Sequence, residues 1–194
     1  MSILALDPGT QLGWAVIDDA GGRIASGAWD LSQPVKPTRR GVYFLRARAN
    51  IDALIGDHAD GLTLIVYERV FQHSGEAQDR MYGGIVGTIE ACAAAWDLDV
   101  AGVAIPTWKK ALTGNVNASA LGGTKPPTKT ARKKLGAKAP NRVFPSYLAA
   151  ARAKWGSVIR TEDEAAACGI ADAARLGLHV VVKKAKKRRS ARCG

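Results

Sequence analysis

The chain has 194 residues, 47% of them hydrophobic, with a formal net charge of +11 and a sequence pI near 9.9. That length suits one domain with a long excursion, and the charge points to a polyanionic partner, nucleic acid ahead of an anionic membrane surface. No apolar stretch is long enough to span a bilayer, and a strand begins right after Met1-Ser2 with no room for a signal peptide, so a cytoplasmic protein with no membrane partner is expected.

Ile3 to Leu6 is an apolar run stopped at once by Pro8-Gly9, which reads as a buried strand with Asp7 at its C-terminal lip. A carboxylate there either points into a cleft or starts an Asx turn by accepting a backbone N–H from Gly9 or Thr10. Gly13 to Ile17 and Arg23 to Trp29 follow as strands, joined by Asp18-Asp19-Ala20-Gly21-Gly22 into an antiparallel meander. Pro34 and Pro37 mark Leu31 to Thr38 as a loop, and between Arg39 and His58 the apolar residues Val42, Leu45, Ala49, Leu54 and Ile55 suit a helix with one buried face. Leu62 to Tyr67 is a near-continuous apolar run, hence a central strand covered on both faces, and it ends at Glu68. Laid parallel beside the first strand at a spacing of about 4.8 Å, it brings Asp7 and Glu68 to one cleft. Two carboxylates that close repel unless a cation sits between them; a simple ion pair of Glu68 with Arg69 or Arg80 is the alternative.

Val70 to Arg80 reads as a polar loop carrying Phe71, an aromatic placed either to stack on an unpaired base or to pack on the next helix. Met81 to Trp96 is rich in Gly, Ala and Ile and reads as a closely packed helix, and Val100 to Ile105 as a strand. Pro106-Thr107-Trp108-Lys109-Lys110 opens another helix, with Pro near its start. Beyond Leu112 comes a loop of Gly, Asn, Ser and Pro among lysines, suited to ordering on a partner. No Asp or Glu occurs between Asp99 and Glu162, while Lys109, Lys110, Lys125, Lys129, Arg132, Lys133, Lys134 and further basic residues lie there. So long an acid-free run is better explained by phosphate contact than by a solvated face. A helix is expected around Pro145 to Trp155, and a last one from Thr161, which with Glu164 has capping-box spacing, to about Leu176. After Leu178 to Val182, seven of the ten residues from Lys183 to Arg192 are basic and read as a disordered tail. Cys92, Cys168 and Cys193 lack metal-ligand spacing, and His58, His73 and His179 are scattered, which argues against zinc.

Four motifs stand in order along nearly the whole chain: Leu6-Asp7-Pro8-Gly9-Thr10 with Gly13-Trp14; the apolar strand ending in Glu68 with Val70-Phe71 beyond it; Trp108-Lys109-Lys110-Ala111-Leu112-Thr113-Gly114; and Asp163-Glu164-Ala165-Ala166-Ala167-Cys168-Gly169-Ile170-Ala171. Together they resemble the RuvC-type Holliday-junction resolvases of the RNase H-like superfamily, especially the phage-type members. The resemblance implies an α/β fold, an RNase H-like mixed five-stranded sheet flanked by helices, over residues 1–178, with a basic DNA-contacting excursion at about 114–145 and a basic tail at 179–194. It implies a homodimer that nicks four-way or branched DNA symmetrically, in a bacterial or phage-infected cell. By position, Asp7, Glu68 and Asp163 would hold two Mg²⁺ ions, with Mn²⁺ as a substitute; Phe71 would wedge against a base at the branch point; and Lys109 or Lys110 would contact phosphates. The family's later lysine falls near Ala120, which passes its role to Lys125 or Lys129. Two hard cations about 3.5–4 Å apart suit phosphodiester hydrolysis, and carboxylate oxygens suit Mg²⁺.

One departure stands out. The family's last helix supplies two ligands three residues apart, yet three residues after Asp163 comes Ala166. Either Glu162 or Glu164 compensates, or the fourth ligand is natively absent, or Ala166 replaces a ligand and leaves the chain inactive; the surrounding small-residue pattern favours the last. The competing functions are a DNA-binding protein without catalysis and an RNase H-like nuclease acting on flaps or RNA–DNA hybrids. Asp7-Pro8-Gly9-Thr10 also resembles the phosphate turn of actin-like and sugar-kinase ATPases, but those need two such domains and this chain is too short.

Overall fold

Alternation along the first strand sets up two layers: Leu4 and Leu6 pack on one side of the sheet, Ala5 on the other. The computed structural model describes residues 1–32, 41–71, 75–125 and 142–181, with 125, 142–144 and 181 described by backbone alone. In chain order the elements are β1 (Ser2–Asp7), β2 (Gln11–Asp18), β3 (Arg23–Asp30), α1 (Gly41–Asp57), β4 (Leu62–Arg69), α2 (Glu76–Ala95), β5 (Asp99–Ala104), α3 (Ile105–Thr113), β6 (Gly123–Lys125), β7 (Arg142–Phe144), α4 (Tyr147–Trp155), α5 (Glu162–Arg175) and β8 (Val180–Val181).

The main sheet has the order β3-β2-β1-β4-β5-β8. β1, β2 and β3 form the expected antiparallel meander, while β1, β4 and β5 are parallel. The parallel links need crossovers, which α1 and α2 provide. Both pack on the Leu4 and Leu6 face through Ile51, Ile55, Ile85 and Ile89. The opposite face is covered by α3 and α5, with Trp108, Ala166 and Ile170 against Ala5, Val66 and Val103. The five long strands thus make the mixed five-stranded α/β sheet expected of an RNase H-like fold. To them β8 adds two residues antiparallel to β5, with Gly102 opposite Val180.

Four local features differ from the sequence reading. On α1 the buried face is Ala47, Ile51, Leu54 and Ile55, while Leu45 and Ala49, expected on it, are exposed. The helix α2 starts at Glu76, inside the stretch read as loop, because Glu76 and Asp79 in its first turn suit a helix N-terminus even though that turn is exposed and carries no apolar period. Ile105 belongs to α3 rather than to the preceding strand, with Pro106 in the helix's first turn. β6 and β7 pair antiparallel, Gly123 with Phe144 and Lys125 with Arg142, at the base of the basic excursion; three-residue strands are too short to show alternation.

The capping box at α5 is half made. Thr161 Oγ1 accepts the Glu164 N–H at 3.1 Å, as the spacing predicts. The Glu164 carboxylate turns away: Oε2 accepts the Arg160 N–H at 2.8 Å, and Oε1 accepts the Ser26 hydroxyl at 2.5 Å. Arg23 in turn donates to Ser26 at 3.0 Å, so the start of α5 is tied to β3. Cys92 and Cys168 are buried free thiols.

Two glycines let α5 lie flush. A Cβ on Gly13 would fall 2.1 Å from the Asp163 carbonyl oxygen, and one on Gly169 would fall 2.9 Å from the Trp108 ring. Backbone cannot yield as a side-chain tip can, so Gly13→Ala is expected to cost about 1–3 kcal/mol. Gly83, with open space around it on α2, is expected to gain roughly 0.5–1 kcal/mol as Ala. Urea unfolding of the two variants checks this; similar stabilities for both would contradict the close approach at Gly13.

Candidate active site

Leu6 pairs with Tyr67 in the parallel ladder, so Asp7 and Glu68 stand side by side at the strand ends, one strand spacing of about 4.8 Å apart. Ala5 and Val66, each two residues earlier, belong to the cluster beneath α3 and α5. By alternation, both carboxylates face those helices. Asp163 comes from the first turn of α5 and passes over Gly13, which is Asp7's partner across β1 and β2. Three elements thus deliver the three acids singled out in the sequence to one place.

Burial and mutual repulsion bear on all three. The Asp7 carboxyl is pushed well above the usual carboxylate range, first by burial, then by the charges of Glu68 and Asp163, with Lys109 opposing. Burial also raises Glu68, against a hydrogen bond from Trp108 and the charge of Lys109. Asp163 is raised by burial and by Glu162. Like charges held in a low-dielectric lip disfavour one another's ionisation.

Around the acids sits an aromatic support. Trp108 Nε1 donates to Glu68 Oε1 at 2.8 Å, from a ring that is almost wholly buried. Tyr147 meets the Trp108 ring edge-on at a centroid distance of 5.2 Å. Its hydroxyl pKa is raised by burial and then by the charges of Glu162, Asp7, Asp163 and Glu68. Trp108 lies inside one of the sequence motifs without a role assigned to it, Glu162 enters the sequence reading only as a substitute for the ligand missing at Ala166, and Tyr147 carries no sequence signal linking it to the site. Tyr82 closes the outer end of β4: its hydroxyl donates to the Glu68 carbonyl at 2.9 Å and accepts the Val70 N–H at 3.1 Å.

The remaining candidates separate. Arg80 pairs with Glu76, and the Arg69 guanidinium lies 4.8 Å from the Phe71 ring centroid, so Glu68 has Trp108 as its partner rather than either arginine. Phe71 is 69% exposed at the end of β4 rather than packed on α2. Of the two lysines on α3, Lys109 acts on Asp7 and Glu68, whereas Lys110 lines a groove with Pro106, Val116 and Leu178. Lys125 ends β6, and Lys129 lies outside the described residues.

Ala166 is 3% exposed, in the cluster with Ala5, Val66 and Trp108. Glu164 is engaged with Ser26 and Arg160, and Asp172 with Lys154 and Arg175. Glu162 is the neighbouring acid whose charge reaches both Asp7 and Asp163. Among the described residues, no three His, Cys, Asp or Glu side chains are drawn together closely enough to hold a metal ion. The donor chemistry is nonetheless that of a hard cation: carboxylate oxygens only, with mutual repulsion that a cation relieves.

No protein-family model and no curated protein sequence matches the chain. In three dimensions it is similar to Thermus thermophilus RuvC in complex with a Holliday junction substrate, at 18% identity and a TM-score of 0.61, over 94% of this chain and 99% of that one. It is likewise similar to another Thermus thermophilus RuvC structure, at 19% identity and a TM-score of 0.59, over 94% of this chain and 100% of that one. The fold is that of RuvC. The resemblance carried by the four sequence motifs therefore holds at the level of architecture. Among the described residues no helix is long and apolar enough to cross a membrane.

The crowded acids have a consequence for stability. Asp7 titrates higher when folded than its ordinary value of 3.8, so ionising it opposes folding. The penalty is absent below the unfolded pKa, grows as pH rises through and above it, and is complete beyond the folded pKa. Asp7→Asn in metal-free buffer is therefore expected to raise Tm at pH 7 and to lose that advantage at pH 3. A Tm gain independent of pH would contradict the electrostatic cause.

Proposed function

We propose that the chain is a RuvC-type endodeoxyribonuclease that resolves four-way or branched DNA with divalent metal, acting as a homodimer. The observation that carries this reading is the convergence of Asp7, Glu68 and Asp163, from two strand ends and a helix start, with Lys109 opposing their charge. The shared architecture with a RuvC seen on a junction substrate supports it.

Asp7, Glu68 and Asp163 would hold two Mg²⁺ ions, with Mn²⁺ as a substitute, through hard oxygen donors. Held by these carboxylates, two such ions would supply activation of the attacking water and stabilisation of the leaving oxyanion. The Trp108 N–H and the Lys109 ammonium both favour the charged form of Glu68, which is the form that ligates. Lys109 also supplies positive charge for a phosphate at the rim of the acids, and exposed Phe71 is placed to wedge against a base at the branch point. The excursion at about 114–145, with Lys125 and Lys129, is assigned to the DNA backbone, whose affinity rests on such charges. So is the basic tail expected from 179, of which 180 and 181 instead join the sheet as β8 and 182–194 lie outside the described residues.

The site is one carboxylate short. With Glu164 engaged elsewhere, Ala166 marks the missing ligand, on the same helical side as Asp163. The neat packing of Ala166 also favours a second reading, a branched-DNA-binding protein without catalysis. The two separate in one assay: nicking of a synthetic four-way junction, a flap and an RNA–DNA hybrid by the chain and by its Ala166→Asp variant. The variant is expected to nick the junction in Mg²⁺ faster than the chain as given by about tenfold or more, since even outer-shell partners are worth roughly 10–100-fold. It should lose that activity in EDTA or on adding Asp7→Asn. Junction binding with no cutting by either form, in Mg²⁺ or Mn²⁺, would establish the binding protein instead.

A further inference from the structure

Lysine is a long, strongly hydrated point charge on a flexible stem, and left alone it samples many rotamers. Lys109 is not left alone. Its Nζ lies 5.5 Å from the centroid of Trp108 and 5.4 Å from that of Tyr147, both within the roughly 6 Å over which a ring face attracts a cation. Neither ring is free to drift. Trp108 is buried, hydrogen-bonded to Glu68 and capped by Gly169. Tyr147 is the first residue of α4, and its N–H donates to the Ser119 carbonyl at 3.0 Å. The preceding Ser146 donates to the Ala120 carbonyl at 2.6 Å and caps α4 by accepting the Ala149 N–H at 3.0 Å. The two rings meet edge to face and form a corner against which the ammonium rests.

We propose that Tyr147 is a positioning residue which, together with Trp108, holds the Lys109 ammonium at the rim of the acidic cluster, ready for a DNA phosphate. A π face does this without a formal charge. A carboxylate in its place would draw the ammonium into an ion pair and remove it from the phosphate, and a bare aliphatic wall would leave it mobile. The corner also stands where the excursion begins and ends: residues 119 and 146 bridge there, and β6 pairs with β7 just beyond. Tyr147 thus meets Lys109 at the base of the excursion, where α4 begins and packs on α3 and α5. The use of the ammonium for a phosphate rests on the nuclease reading above, whereas the clamp itself does not.

The test uses the full chain with ¹³C-labelled lysine, the Lys109 ε-CH₂ signal being assigned by its absence in Lys109→Arg. Held over two rings, that signal is expected upfield of the other lysines in the parent and in Tyr147→Phe, and back among them in Tyr147→Leu. Affinity for a four-way junction, measured in Ca²⁺, is the second readout. Tyr147→Leu and Lys109→Met are each expected to weaken binding about 3- to 30-fold, the range of a cation–π contact. Tyr147→Phe is expected to bind as the parent does, and the Lys109→Met/Tyr147→Leu double variant no more weakly than Lys109→Met. An unshifted Lys109 signal in the parent, or fully additive losses in the double variant, would overturn the proposal. If no form binds a junction, the nuclease reading fails and the NMR signal alone decides the clamp.

Discussion

The site depends on one contact between backbones, the Asp163 carbonyl lying where Gly13 has no side chain. Any Cβ at that point would lift the start of α5 off β2 and carry Asp163 away from Asp7, Gly13's partner across the ladder. The rest of α5 follows the same rule. Eight of its eleven buried positions are Ala, Gly or Cys, so the helix sinks onto the sheet. Gly169 then admits the Trp108 ring, whose N–H reaches Glu68. Small residues here are what let one helix define the geometry of three acids on three elements.

Bringing those acids together opposes folding. Each of the three is raised above its ordinary pKa, with burial the first cause in every case. Against a net stability of about 5–15 kcal/mol, such repulsion is sizeable. The surrounding charges offset it only in part, since Lys109 opposes the shifts of Asp7 and Glu68 while Glu162 adds to those of Asp7 and Asp163. A cation placed among the acids would relieve the repulsion that Lys109 offsets only in part.

What could be read from the sequence was local or periodic. Asp7 and Glu68 were visible because each ends an apolar run, and the parallel register that makes them neighbours follows from two buried strands with a helix between. Thr161 was visible as a cap because its partner is three residues away. The Glu164 carboxylate was misjudged because it is captured by Ser26, far off in sequence, and by the Arg160 N–H before it could close the capping box. Tyr147 was invisible for the same reason, since its meaning comes from Trp108 and Lys109 across the whole basic excursion. The start of α2 was hidden differently: its exposed first turn is polar all round and offers no period to find.

The same distinction bears on Ala166. Successive helical residues turn by about 100°, so on α5 the side facing Asp7 is reached by Asp163 and next by residue 166, not by 164. Glu164 confirms that spacing by pointing to β3, where Ser26 and Arg160 hold it. Glu162 sits at the exposed first position of the helix and reaches the acids through its charge. Asp172 lies deep in the helix and is taken by two cations. Position 166 is thus an apolar place on the side of α5 that it shares with Asp163, while Glu164 and Asp172 are held elsewhere.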